Sequence, residues 1–149
     1  MTISPLAILV AEDDPDDAFM LRRAFTAANI ANPVAFVSDG DEAIAYLAGT
    51  GRYADRDLHP LPVVILLDLK MPRRSGFEVL EWLRAQPGVG RLPVVVLTSS
   101  RESRDVTRAY ELGANSYLVK PSSPEDLIAT VRGLGLFWLV LNEPPEVGL

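Results

Sequence analysis

Five short apolar runs, each followed by apolar positions at helical spacing, constrain this chain most. The runs are LAILVA (6–11), PVAFV (33–37), VVILL (63–67), PVVVLTS (93–99) and NSYLVK (115–120). Between them, Ala18, Leu21, Phe25 and Ala28 mark one helix face, and Ala43, Ile44 and Leu47 a second. Phe77, Leu80 and Leu83 follow Gly76. Val106, Ala109 and Leu112 precede Gly113, a C-terminal cap, and Ser123-Pro124 starts a last helix. Strands apolar on both faces, alternating with helices, predict an α/β fold with a covered parallel sheet. Right-handed crossovers then favour a doubly wound five-stranded sheet in the order 2-1-3-4-5. The expected division is one domain over 1–133 and an extension over 134–149, with no linker and no second domain.

In such a sheet, ligands bind beyond the carboxyl ends of the strands, where the strand order reverses. The first strand runs into Glu12-Asp13-Asp14 and the third into Asp68, so their carboxylates converge on that crevice. Two like charges ~4 Å apart repel by ~4 kcal/mol at an effective dielectric near 20. Such a cluster calls for a cation. An all-oxygen donor set without cysteine or a nearby histidine suits Mg²⁺ better than Zn²⁺. Asp14 is set aside as the N-cap of the first helix.

The fourth strand ends in Thr98-Ser99-Ser100 and the fifth in Lys120. A carboxylate, a cation site, a hydroxyl and an ammonium together make a phosphoryl site. Asp68 is the expected nucleophile, forming an aspartyl phosphate. Lys120 and the metal neutralise the equatorial oxygens, and Thr98 donates a hydrogen bond.

Composition narrows the choice further. The 149 residues carry a net charge of −6, with no basic run, which disfavours a phosphate-backbone binder. The absence of cysteine excludes disulfides and thiolate sites. No apolar run approaches the ~20 residues needed to span a bilayer, and the N-terminus makes a poor signal peptide. The expectation is a cytoplasmic protein that binds neither nucleic acid nor membrane.

From about residue 6 to 133 the chain resembles the receiver domains of two-component response regulators, a flavodoxin-like fold. The resemblance rests on the acids after the first strand, LLDLKMP, VVLTS and YLVKP. It implies that Asp68 accepts a phosphoryl group from a histidine kinase, helped by Thr98 and Lys120. It implies a Mg²⁺ site formed by Asp13, Asp68, the Lys70 backbone carbonyl and, mainly through water, Glu12. It makes Tyr117 a switch aromatic whose rotamer follows Thr98, and it implies a cis Lys120–Pro121 bond. The protein is then a signalling protein rather than an enzyme, catalysing only its own phosphorylation and dephosphorylation. A haloacid-dehalogenase-like phosphatase is the competing class. It requires a second acid where this chain has Lys70.

Two segments exceed five βα units: a long connection at 49–62 and the tail. FWLVLNEPP (137–145) and that loop resemble the single-domain regulators that partner phytochrome histidine kinases. Leu127, Val131, Leu134, Trp138 and Leu141 follow a helical seam, but LGLFWLVL is apolar nearly all round. Leu136, Phe137, Trp138, Leu139 and Val140 are therefore the expected interface of a homodimer. The alternative is that the tail folds back on its own subunit. His59, in the long loop, is expected to be exposed and inert. Arg73 and Arg74 are expected on a solvated face.

Overall fold

The computed structural model describes residues 6–147. The outermost residues of the expected 1–133 and 134–149 segments lie outside that range. Strands β1 (Ala7–Ala11), β2 (Val34–Val37), β3 (Pro62–Leu67), β4 (Val94–Thr98) and β5 (Ser116–Val119) alternate with helices. The helices are α1 (Pro15–Ala27), α2 (Gly40–Ala48), α3 (Gly76–Arg84), α4 (Ser103–Glu111) and α5 (Pro124–Gly135). All pairings are parallel and the sheet order is β2-β1-β3-β4-β5, as the apolar periodicity predicts.

Alternation along the strands divides the core in two. Ile8, Val10, Val64, Leu66, Val95 and Leu97 face α1 and α5, where they meet Leu21, Phe25, Leu127 and Val131. Leu9, Ala11, Ile65, Leu67, Val94 and Val96 face α2, α3 and α4, against Leu47, Leu80, Leu83 and Ala109. The period-2 geometry of a strand buried on both faces requires this split.

Local chemistry sets the helix starts. The Asp14 carboxylate accepts from the Asp16 and Asp17 amides with Pro15 in the first turn, Asp39 caps α2, and Ser123 caps α5 ahead of Pro124. Ser75 and Glu78 form a reciprocal capping box on α3. Asp39-Gly40 thus starts a helix. Gly113 follows α4 at φ 102°, a region that favours glycine.

The long 49–62 connection is a packed structure. A 3₁₀ turn, Gly51–Tyr53, buries Tyr53 against Tyr46. The Arg56 guanidinium donates to the carbonyls of Tyr46, Leu47 and His59, which satisfies the C-terminal end of α2. His59 corrects the expectation of an exposed side chain. It is half-buried, edge-on to both Tyr46 and Tyr53.

The tail neither bends away as an arm nor packs fully. α5 passes into a π-helical stretch, Leu136–Leu141, closed by the Asn142 amide donating to the Phe137 carbonyl. Leu136, Phe137, Val140 and Leu141 are exposed, at 49–70%. Trp138 and Leu139 are half-buried and pack on the α1–α5 side of the core. Val147 packs on the opposite core. Among the described residues no helix is long and apolar enough to cross a membrane.

Candidate functional site

Register brings the acids together. Ala11 pairs with Leu67, so Glu12 and Asp68 emerge at the same level from adjacent strands. The Asp68 amide donates to the Ala11 carbonyl at 3.1 Å and locks this alignment. Carboxylate oxygens of Glu12, Asp13 and Asp68 lie within 4.8 Å of one another. Glu12 and Asp68 are buried, and Asp13 is the most open of the three.

Thr98 pairs with Val119, and the Lys120 amide donates to the Thr98 carbonyl at 2.7 Å. This delivers the Lys120 side chain into the same crevice. Its ammonium bonds Asp68 Oδ2 at 3.0 Å and Asp17 Oδ2 at 2.8 Å, and it also contacts Glu12 Oε1. Burial opposes the charge on Lys120. The hydrogen bonds to Asp17 and Glu12 outweigh it and hold its pKa above the ordinary lysine value. Burial pushes Glu12 up to about 7. The Lys120 hydrogen bond pulls it down, and the Asp68 charge adds to the rise.

The two Asp68 oxygens differ. Oδ1 accepts from the Leu69 amide at 2.7 Å, while Oδ2 faces Lys120. Gly76 makes this geometry possible: a Cβ there would stand 2.1 Å from the Asp68 carbonyl oxygen. The start of α3 therefore closes tightly behind the acid, with the Gly76 amide donating to the Leu69 carbonyl.

The donors fit a hard divalent cation. All are oxygens, and Glu12 Oε1 is fully buried against the Lys120 ammonium. Glu12, Asp13, Asp17 and Asp68 face one ammonium, so the crevice keeps the excess of negative charge that a divalent cation would offset. The Lys70 side chain points to solvent, leaving only its backbone for such a site.

Thr98 is fully buried at the β4 tip, and its Oγ1 accepts from the Ser100 amide at 3.4 Å. Tyr117, half-buried, donates its hydroxyl to the Ser100 carbonyl at 3.0 Å. Ser100 in turn donates to Asp105 at 2.6 Å, in the first turn of α4. A chain of contacts thus runs from Thr98 through Ser100 to Tyr117 and α4. Among the described residues no peptide bond is cis, so Lys120–Pro121 is trans, contrary to expectation. Arg73 and Arg74 are exposed but paired with Asp39 and Asp41 on α2.

Two site residues escape reasoning from motifs. Asp17 lies one turn before Leu21, on the buried stripe of α1, and that phase was the available signal. Ser100 is a hydrogen-bond hub, bonded to Thr98, Asp105, Glu102 and Tyr117.

This parallel sheet, with acids, a threonine and a lysine at its switch point, defines an aspartate-based phosphoryl acceptor. Residues 8–132 match the family described as Response regulator receiver domain, and the chain belongs to that family. Response regulator Rcp1 of Synechocystis is 38% identical over 135 residues, 91% of this chain and 90% of Rcp1. The crystal structure of response regulator RPA3017 in red light signaling of R. palustris superposes with a TM-score of 0.90. It is 39% identical, covering 95% of this chain and 99% of that one. The phosphorylated cyanobacterial phytochrome response regulator RcpA superposes at 0.87, with 34% identity over 96% of this chain and 100% of that one. Rcp1 has been solved in a Mn²⁺-bound form, with a TM-score of 0.83.

Proposed function

We propose that Asp68 accepts a phosphoryl group from the phosphohistidine of a sensor kinase. The observation carrying this reading is the convergence of Asp68, Glu12, Asp13 and Lys120 at the tips of β1, β3 and β5. An Asp68 oxygen forms a bond to phosphorus as the nitrogen–phosphorus bond breaks and the imidazole leaves. The Lys120 ammonium stands where it can bind an equatorial phosphoryl oxygen, and the Thr98 hydroxyl is the donor on the β4 side. Glu12, Asp13, Asp68 and the Lys70 carbonyl are the residues that would hold Mg²⁺, whose charge would offset that of the phosphoryl group. The Mn²⁺-bound form of Rcp1 supports a divalent ion in a relative.

Thr98 and Tyr117 form the switch. Drawing Thr98 toward a phosphoryl oxygen alters its contact with Ser100, and through Ser100 both Tyr117 and the start of α4. Phosphorylation then shifts the population between two arrangements of this face. The protein is a signalling protein whose only catalysis is on its own aspartate. A net charge of −6 supports a role without nucleic acid.

The likeness to RPA3017 and RcpA, which extends through most of the tail, supports a phytochrome histidine kinase as the partner. The exposed Leu136, Phe137 and Val140 support a homodimer through the tail. Sedimentation of Phe137→Glu/Val140→Glu tests it: the expected result is a halved mass, and an unchanged mass removes the dimer.

The acceptor is tested by incubation with a small phosphodonor and Mg²⁺, read by intact mass. One added phosphoryl group, absent in Asp68→Asn, is the expected outcome. Equal labelling of the variant overturns the assignment.

A further inference from the structure

We propose that Asp17 is a positioning residue for Lys120: its carboxylate retains the ammonium at the crevice when Glu12 and Asp68 turn their oxygens toward a divalent cation. The inference rests on the reading of Glu12, Asp13 and Asp68 as the cation site.

An ammonium has three donors and no acceptor. The three carboxylates around Lys120 Nζ are Glu12, Asp17 at 2.8 Å and Asp68 at 3.0 Å. Two of these belong to the acid cluster, so Lys120 occupies the oxygens that a cation needs. If the ammonium gave them up with nothing in return, a lysine side chain only 15% exposed would be left without a partner. A buried, unpaired charge is costly.

Asp17 offers the way out. It takes no part in the acid cluster, and its side chain is 44% exposed against 2% for Glu12 and 9% for Asp68. The Asp17 amide donates to the Asp14 cap, which holds its backbone while the carboxylate stays free to follow the lysine. A cavity of about 240 Å³, lined by Asp17, Met20, Lys120, Pro121 and Leu127 among others, opens on that side. Lys120 can therefore exchange three partners for one without leaving the crevice.

The test is a double-variant cycle read by calorimetric Mg²⁺ titration of the full chain. Asp17→Asn is expected to weaken Mg²⁺ binding about tenfold, because Lys120 then competes harder for Glu12 and Asp68; in the Lys120→Met background the same change costs about twofold or less. Asp17→Glu, which keeps a carboxylate within reach, restores binding to within about twofold of the native protein. Asp16→Asn removes a neighbouring charge without touching Lys120 and has an effect of about twofold or less. Should Asp17→Asn fail to fold, Asp17→Ser carries the same comparison. Equal weakening in both lysine backgrounds reduces Asp17 to a distant charge and overturns the inference alone. A native protein that binds no Mg²⁺ overturns the cation site, and the inference with it.

Discussion

Lys120 Nζ stands 3.0 Å from Asp68 Oδ2, although 52 positions separate them in the chain. β5 lies two strands from β3, so only a side chain as long as lysine spans the gap across the β4 tip. The ammonium offsets the cost of burying Asp68.

Metal loading should stabilise the fold. A ligand present at about 100 times its Kd adds about 2.7 kcal/mol by mass action. Mg²⁺ is therefore expected to raise the thermal midpoint of the native protein, and chelator to reverse the rise. Asp13→Asn should show little response to either. Scanning calorimetry with and without chelator checks this.

Gly76 and Gly133 make a matched pair. A Cβ at Gly76 meets the Asp68 carbonyl oxygen at 2.1 Å, while one at Gly133 has nothing within 4 Å. Gly76→Ala is expected to cost about 1–3 kcal/mol and to slow labelling by a small phosphodonor. Gly133→Ala, in mid-helix, should gain up to about 1 kcal/mol and leave labelling unchanged. Urea unfolding and intact mass read both.

Arg84 ties two loops together, the α3–β4 and α4–β5 connections. Its guanidinium donates to the carbonyls of Gly90, Leu92 and Gly113 and to the Asn115 side chain. Arg84→Met leaves those acceptors unpaired and should cost about 2–4 kcal/mol in urea unfolding. Arg84→Lys recovers little, because a point charge cannot reproduce the fork.

Acid should reveal the anchoring of the long loop. The Tyr53 hydroxyl, with the Ser38 amide and Arg52, holds Glu42 down at about 2 against an ordinary 4.5. A carboxyl whose folded pKa is depressed contributes stability above its unfolded pKa and loses it as pH falls through the folded value. The native protein should therefore lose this contribution between about pH 4.5 and 2. Tyr53→Phe should lower stability at pH 7 and flatten the loss on acidification. Urea midpoints at pH 7 and pH 3 measure the difference.

The sheet was legible because each strand is apolar on both faces and each connection carries a helical stripe. Strand order followed, and with it the meeting of Glu12, Asp13 and Asp68. Motif reasoning stopped at residues whose role depends on helix phase. Asp17 reads as one more acid in an acidic turn until α1 is docked and its Leu21 stripe faces the sheet. His59 reads as a loop residue because nothing local signals its packing against Tyr46 and Tyr53. The tail divided for the same reason. An all-round apolar run does not reveal which side the core takes, and here Trp138 and Leu139 are the ones that pack against it.

The loop after Asp68 is strapped to α2 by Arg73–Asp39 at 3.2 Å and Arg74–Asp41 at 3.0 Å. Both arginines are solvent-exposed, so dissolved ions weaken these straps within a Debye length of about 8 Å at physiological ionic strength. The Asp68 carboxylate, tied to the Leu69 amide, has no such sensitivity. Raising salt thus loosens the straps on the loop behind Asp68 while leaving the buried carboxylate in register with its neighbours.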